Sequence, residues 1–325
     1  MNGYLIIMPM STITRSRLKM IFISMSLVFS SVTHAAEHSN GLPSSVMSES
    51  AIRDSNMQAC AERLHFDSVQ DYIHYLDTHN IDMDSITENG VPALYCKDLP
   101  LDMKKISGDT KKNTFIMIML PVIKKINQQI EDDRSQLISL HAKQERGAPL
   151  SPEQKLWLEN LADQYDVSSG NYRELLQRVN TIPASLVLAQ SIQESGWGTS
   201  YTARAGNALF GQHRSPGNQN YTVTVDRGRV HLAGYDTIHN AVSAYIHNLN
   251  INPAYKHLRQ IRADLQARGE PLSGYQLAQG LVHYSTRGKS YIRDLHHLIR
   301  GADLEQYDDI SLADNPPVTV SFQDA

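Results

Sequence analysis

A single carboxylate stands where an apolar segment of this sequence ends. In the stretch SIQESGWGTS, residues 191–200, Glu194 is followed by two glycines and Trp197. The carboxyl end of a helix disfavours a carboxylate by typically ~0.3–1 kcal/mol, so stability alone would favour Lys or Arg there. An indole beside a carboxyl group removes water from it and raises its pKa. The pattern indicates a general acid that stays protonated near neutral pH; the alternative is a solvated or salt-bridged glutamate.

Tyrosines accumulate in the second half of the chain. Nine of the 15 lie at or after Tyr201, and aromatic faces with hydroxyls suit sugar rings. Five fall in predicted loops, in a predicted hairpin or at helix starts: Tyr201, Tyr221, Tyr235, Tyr284 and Tyr291. The sequence therefore favours a carbohydrate ligand, with core packing or a surface position as the alternative for any one tyrosine.

Several helices and one hairpin must position these residues. The segment PASLVLAQSIQES predicts a helix that starts at Pro183 and ends at Gly196. Residues 211–235 alternate valine and threonine with polar residues around the turn sequence DRG, which predicts a β-hairpin. Ser151 and Thr237 are suited to cap further helices. The predicted fold class is α+β, mostly helical with a small β-hairpin lobe, and a cleft between two lobes is a common substrate site.

The first 35 residues have the pattern of a secretory signal peptide. Three basic residues precede the apolar run MIFISMSLVFSSV, and small residues suit cleavage after Ala35. We predict an exported or periplasmic protein with no membrane span in its mature chain; an uncleaved anchor is the alternative. Cleavage removes three of the 30 bases and none of the 34 acids, leaving 27 against 34, or −7. No nucleic-acid partner is expected of this mildly acidic chain.

A helical N-terminal region follows over residues 36–148. Its apolar run at 115–123 is too short to span a bilayer and predicts a buried helix kinked at Pro121. In an exported chain, Cys60 and Cys96 predict a disulfide; two buried free thiols are the alternative. Neither cysteine has another Cys or a His at metal-ligand spacing, so no metal is expected.

The sequence GAP at 147–149 is a natural break between segments. We place the catalytic domain at 149–305. The remaining residues, 306–325, contain Asp, Pro and Ser and predict a loose C-terminal tail.

The stretch ASLVLAQSIQESGWGTSYTARAGNALFGQH, residues 184–213, closely resembles the signature of the bacterial glucosaminidases of glycoside hydrolase family 73. The likeness covers about 155–303, and the upstream FIMIMLPVIKKINQQIEDDR is similar to the exported Bax-like subgroup. The resemblance implies a lysozyme-like domain that cleaves the β-1,4 bond between N-acetylglucosamine and N-acetylmuramic acid in the glycan strands of peptidoglycan, without a cofactor.

The resemblance and the residue pattern together give the expected site residues. The family's acid falls on Glu194 and its tyrosine motif on Tyr284. The expected catalytic residues are Glu194, Asp226 and Tyr284, and the expected substrate-binding residues are Trp197, Asn207, Tyr221 and Tyr291.

One departure concerns the second acid that many family members carry in the β lobe. Between Gln212 and Tyr235 this chain has only Asp226, at the predicted hairpin turn. Carboxyl groups ~6.5–9.5 Å apart would fit an inverting mechanism with a positioned water. If Asp226 points away, the acetamido group of the substrate could assist instead. A lytic transglycosylase on the same fold and a non-catalytic glycan-binding module are the alternative functions.

Overall fold

The computed structural model describes residues 62–212, 222–225 and 230–323. The helices in this part are α1 (Val69–Thr78), α2 (Met83–Asn89), α3 (Gly108–Glu145), α4 (Pro152–Gln164), α5 (Tyr172–Arg178), α6 (Ala184–Ser195), α7 (Tyr201–Gly206), α8 (Ile238–Ile251), α9 (Lys256–Ala267), α10 (Gly274–Leu277) and α11 (Lys289–Gly301). The strands are β1 (Glu62–His65), β2 (Leu94–Cys96), β3 (Thr222–Val225), β4 (Val230–Ala233) and β5 (Val318–Ser321). Short 3₁₀ helices occupy Met103–Lys105, Pro253–Tyr255, Ala278–Leu281 and Leu304–Tyr307.

Helix α3 forms the centre of the core. Every residue from Thr114 to Ile123 is buried, as the apolar run predicts, and Pro121 lies inside the helix. The helix packs against β2, α6 and α8. One hydrophobic core therefore spans the predicted N-terminal region and the predicted catalytic domain, and residue 148 does not separate two cores.

The helices around the site begin where the sequence indicates. The hydroxyl oxygen of Ser151 accepts a hydrogen bond from the backbone N–H of Gln154, and Gln154 Oε1 accepts one from the backbone N–H of Ser151, so α4 starts with a complete capping box. Thr237 caps α8 through the N–H of Asn240. The predicted hairpin is present as the antiparallel pair β3 and β4, while its turn lies outside the described residues. The protein is thus α+β and mostly helical.

The C-terminal segment is not a loose tail, and the prediction for 306–325 was wrong over its described part. Strand β5 lies in the middle of a parallel sheet of order β1-β5-β2. Val318 and Val320 are buried on one face of β5. Upstream, the carboxylate of Asp308 accepts hydrogen bonds of 2.7 Å from the backbone N–H and the hydroxyl of Ser185, in the first turn of α6. The segment therefore completes a sheet and anchors α6.

A chain that ends at residue 313 is expected to lose several kcal/mol of stability and to melt far below the full chain. The truncation removes Val318, Val320 and Phe322, and burial of each such side chain contributes ~1.5–3 kcal/mol against a typical total of about 5–15 kcal/mol. Thermal unfolding followed by circular dichroism measures the loss. A chain ending at residue 323 is the control. Equal melting temperatures for the two truncations would contradict this role of β5.

Cys96 lies in β2 and is buried. Burial raises the pKa of its thiol to about 12, and Sγ lies 3.9 Å from the hydroxyl of Tyr72. Cys60 and the signal peptide lie outside the described residues, so the disulfide and the cleavage site stay predictions. None of the helices that the structure describes combines the length and the apolar character needed to cross a membrane.

Candidate active site

Glu194 is the second-last residue of α6. The helix is buried along most of its length, and it ends at Gly196, whose left-handed backbone lets its N–H bond the carbonyl of Ile192 at 2.9 Å. This is the glycine C-cap that the sequence predicts. Because the glutamate comes at the end of the buried segment, its side chain keeps partial contact with solvent. An apolar helix therefore carries one acid to the edge of the core.

The surroundings of Glu194 favour its protonated form. Burial raises the pKa of Glu194 to about 7, against the lowering effects of a hydrogen bond from Tyr291 and of the charge on Arg287. Arg287 forms its salt bridge with Asp294, and Glu194 makes no salt bridge within the described part of the chain. A carboxyl group with this pKa can donate a proton at neutral pH and can also take one up.

A line of buried hydrogen bonds holds the Glu194 carboxyl. The hydroxyl of Tyr291, in α11, donates to Glu194 Oε1 at 2.9 Å. Gln190 Nε2 donates to that hydroxyl at 3.0 Å, and the hydroxyl of Tyr245 donates to Gln190 Oε1. Gln190 and Tyr291 each accept one bond and donate the next, so the line runs in one direction from Tyr245 to Glu194. The line positions the acid through residues of three helices.

The sequence prediction missed Gln190 and Tyr245 as members of this hydrogen-bonded line. Gln190 lies one turn before Glu194 on α6, so the two side chains share a helix face. This spacing is the feature of the sequence that could have indicated Gln190 as a neighbour of the acid. Tyr245 belongs to the apolar stripe of α8 and carries no mark that separates it from a core tyrosine.

Tyr284 lies behind Tyr291 and is fully buried. Its ring stacks on that of Tyr291 with centroids 5.5 Å apart, and its hydroxyl donates to the carbonyl of Phe210 at 2.8 Å. Phe210 in turn stacks on Tyr245 at 4.0 Å and so packs the cluster from its other side. These contacts support a positioning role for Tyr284, and its predicted part in catalysis stays a prediction.

Trp197 has a left-handed backbone, with φ of 59°, between two glycines with φ of 60° and 71°. Such a conformation is uncommon for a bulky residue and marks a strained turn. The described ring contact of the partly exposed indole is an edge-to-face one with Phe115, at 6.1 Å. The predicted contact between the indole and the Glu194 carboxyl therefore stays a prediction.

Gly198→Ala is expected to destabilise the protein by about 1–3 kcal/mol. A Cβ at this position would lie 2.9 Å from Cδ2 of Phe115 and 3.3 Å from Cδ1 of Leu99, in a backbone conformation that L-residues rarely adopt. Gly147→Ala is a matched control, because Gly147 has φ of 73° but nothing within 4 Å of an added methyl group. The difference in unfolding free energy between the two variants isolates the crowding. Equal losses would show that the turn has room for a side chain.

Asn207 is buried at the end of α7 and has a left-handed backbone. Its Nδ2 donates to the carbonyl of Tyr235 at 3.1 Å, which braces the link between β4 and α8. Its Oδ1 is buried with no hydrogen-bond partner in the described part of the chain. Asn207 thus braces the loop, and its predicted contact with the substrate stays a prediction.

The remaining predicted residues, Asp226 and Tyr221, lie outside the described residues, so their roles stay predictions. Within 62–212, 222–225 and 230–323, no group of three or more His, Cys, Asp or Glu side chains is placed to hold a metal ion.

Residues 170–304 match the Glucosaminidase family, described as mannosyl-glycoprotein endo-beta-N-acetylglucosaminidase. The chain is 37% identical to Protein bax of Escherichia coli (strain K12) over 198 residues, which cover 58% of this chain and 69% of that protein. The chain belongs to the Bax-like glucosaminidase family. The family match covers α6 with Glu194 and α11 with Tyr291, so the site described above lies inside a glycosidase domain.

Two solved structures are also similar to this Bax-like glucosaminidase. The catalytic domain of the autolysin Auto from Listeria monocytogenes is 19% identical, with a TM-score of 0.31, and the match covers 52% of this chain and 97% of that one. A glycoside hydrolase domain of FlgJ from Salmonella typhimurium is 20% identical, with a TM-score of 0.27, and the match covers 46% of this chain and 92% of that one.

Proposed function

We propose that this protein is an exported peptidoglycan hydrolase, an endo-β-N-acetylglucosaminidase that cleaves the β-1,4 bond between N-acetylglucosamine and N-acetylmuramic acid. The observation that carries the proposal is the Glu194 carboxyl, with a pKa of about 7 and a hydrogen bond from Tyr291. Membership in the glucosaminidase family supports the sugar on the non-reducing side of the bond.

Glu194 is the general acid in this proposal. Its protonated carboxyl donates to the oxygen of the glycosidic bond, the carbon–oxygen bond breaks, and positive charge develops on the sugar ring. The bond from Tyr291 keeps Oε1 fixed, so Oε2 is the oxygen left to face the substrate. Because the carboxyl is largely desolvated, it reaches the substrate in its protonated form at neutral pH.

A second group must assist at the anomeric carbon to complete hydrolysis. Asp226 is the candidate on this chain, and the acetamido group of N-acetylglucosamine is the candidate on the substrate. If Asp226 acts, its carboxylate takes a proton from the water that adds to the anomeric carbon as the glycosidic bond breaks. If the acetamido group acts, its carbonyl oxygen bonds the anomeric carbon as the glycosidic bond breaks. Water then displaces that oxygen and gives its proton to the Glu194 carboxylate.

The products distinguish hydrolysis from the alternative reaction. We expect digestion of purified sacculi to release fragments with N-acetylglucosamine at a reducing end that borohydride converts to an alditol. A lytic transglycosylase would instead leave anhydro-muramic ends, which borohydride does not reduce. Mass spectrometry before and after reduction reads the difference. Anhydro ends would overturn the hydrolase assignment, and binding without any released fragment would indicate a glycan-binding module.

A further inference from the structure

A basic pocket of about 250 Å³ lies among α3, α5 and α9. Four arginines line it, and no acidic residue does. The arginines are Arg134, Arg173, Arg259 and Arg262, and the amides of Gln177, Asn180 and Gln266 complete the lining. In a chain with a net charge of −4, this is a local concentration of positive charge with additional hydrogen-bond donors.

Two of the arginines form the buried floor. Arg262 is completely buried, and its guanidinium donates to the carbonyls of Asn180, Thr181 and Gln177 and to Asn250 Oδ1. Arg259 is almost as buried and donates to the carbonyls of two residues, Leu249 and Asn252. Carbonyl oxygens satisfy these N–H groups but carry no net negative charge.

Among the described residues, no paired acid neutralises the charges of the floor, and only the more distant charge of Glu174 partly offsets that of Arg259. None of the four lining arginines makes a salt bridge with an acid in the part of the chain that the structure describes. Burial, together with the charges of Arg259 and Arg134, lowers the pKa of Arg262 to about 9. The pKa of Arg259 falls to about 10 for the same first reason. Desolvated charges without a counter-charge are costly, and a bound anion would remove that cost.

A purely structural role explains only part of this arrangement. Arg134 and Arg262 close the carboxyl end of α5 by bonding its last carbonyls, as basic side chains commonly do. Arg173 makes no such bond, since it is exposed on α5. It nevertheless adds a fourth guanidinium to the rim.

We propose that this pocket binds a small oxyanion, a phosphate or carboxylate group of a ligand. Guanidinium forks match the paired oxygens of both groups. The pocket adjoins Asn180 and Thr181, before the start of α6, whereas Glu194 is at the far end of that helix, about 18 Å along its axis for 12 residues. The pocket is therefore separate from the acid and does not depend on the proposed reaction.

The test uses the full chain and two probes, inorganic phosphate and tricarballylate, each compared with chloride at equal ionic strength. We expect the melting temperature to rise with the concentration of a preferred probe, and the rise to give an apparent Kd. Arg173→Gln is expected to weaken that Kd by about tenfold, the loss of one charge-assisted hydrogen bond. Arg293→Gln removes the same charge from an exposed position on α11 that does not line the pocket.

The control separates pocket binding from general salt effects. Non-specific stabilisation by phosphate would raise the melting temperature equally in both variants, and that result would overturn the proposal. So would probes that act no more strongly than chloride. A preference for phosphate or for tricarballylate supports the pocket and names the ligand group. Glu194→Gln is expected to bind the probe as the wild type does, so failure of the hydrolase assignment leaves this test intact.

Discussion

Glu194→Gln is expected to lower the rate of glycan cleavage by about 10²–10⁴-fold, the usual contribution of a general acid. The amide has nearly the shape of the carboxylic acid, but it has no proton of suitable acidity to give to the glycosidic oxygen. Release of reducing ends from purified sacculi measures the loss. A carboxylate introduced next to this position, by Gln193→Glu, is not expected to replace the lost acid. Residue 193 lies one position earlier and points to another face of α6.

The same substitution of Glu194 is expected to stabilise the fold above neutral pH, which separates lost catalysis from lost structure. Burial raises the pKa of Glu194 from its ordinary value to about 7, so the native state holds this proton more tightly than the unfolded chain. The protonated form contributes fully to the free energy of unfolding below pH ~4.5. This contribution, up to ~3 kcal/mol, is lost as the pH rises through about 7. The uncharged amide of the Glu194→Gln variant carries no such loss, and the variant should melt higher than the wild type at about pH 8.

These two measurements together decide the role of Glu194. A variant that folds, melts higher in alkaline buffer and no longer cleaves sacculi has lost a chemical group only. A variant that keeps its activity would show that the acid is elsewhere, and the glycosidase domain would then need another proton donor.

Local sequence determined the placement of Glu194 and the helix that carries it. Three features depend on residues within a few positions of each other: the apolar stripe of α6, the glycines after it, and the caps of α4 and α8. A single sequence is therefore enough to predict them. The acid could be recognised because it conflicts with the helix dipole at that point.

Contacts between distant segments could not be predicted from the sequence in the same way. Tyr291 is 97 positions from Glu194, and only the packing of α11 on α6 shows that they meet. Strand β5 is short, and its neighbours in the sheet are some 220 to 260 positions earlier. The nearby Asp, Pro and Ser residues therefore made the segment resemble a tail. Nothing in the sequence next to Tyr284 indicates that three other tyrosines, Tyr245, Tyr255 and Tyr291, surround its ring.

Tyr291→Phe is expected to change the pH dependence of cleavage as well as its rate. In the wild type, activity should fall by about tenfold per pH unit above a pKa of about 7, as Glu194 loses its proton. The hydrogen bond from Tyr291 favours the charged carboxylate and so lowers the pKa of Glu194. Without it the pKa rises, and the alkaline limb of the profile moves to higher pH. The plateau should fall by roughly 10- to 100-fold, because the carboxyl also loses the group that orients it.

Tyr284→Phe provides the matched control for this shift. It removes a hydroxyl from an equally buried and stacked ring, but that hydroxyl bonds the carbonyl of Phe210 and not the acid. If Tyr291 acts through its bond to Glu194, the alkaline limb moves in Tyr291→Phe and stays in place in Tyr284→Phe, whatever happens to the two plateaus. A general loosening of the aromatic cluster would lower both plateaus and leave both limbs where the wild type has them. The position of the limb therefore reports the proton on Glu194, which is the quantity that the proposed reaction requires.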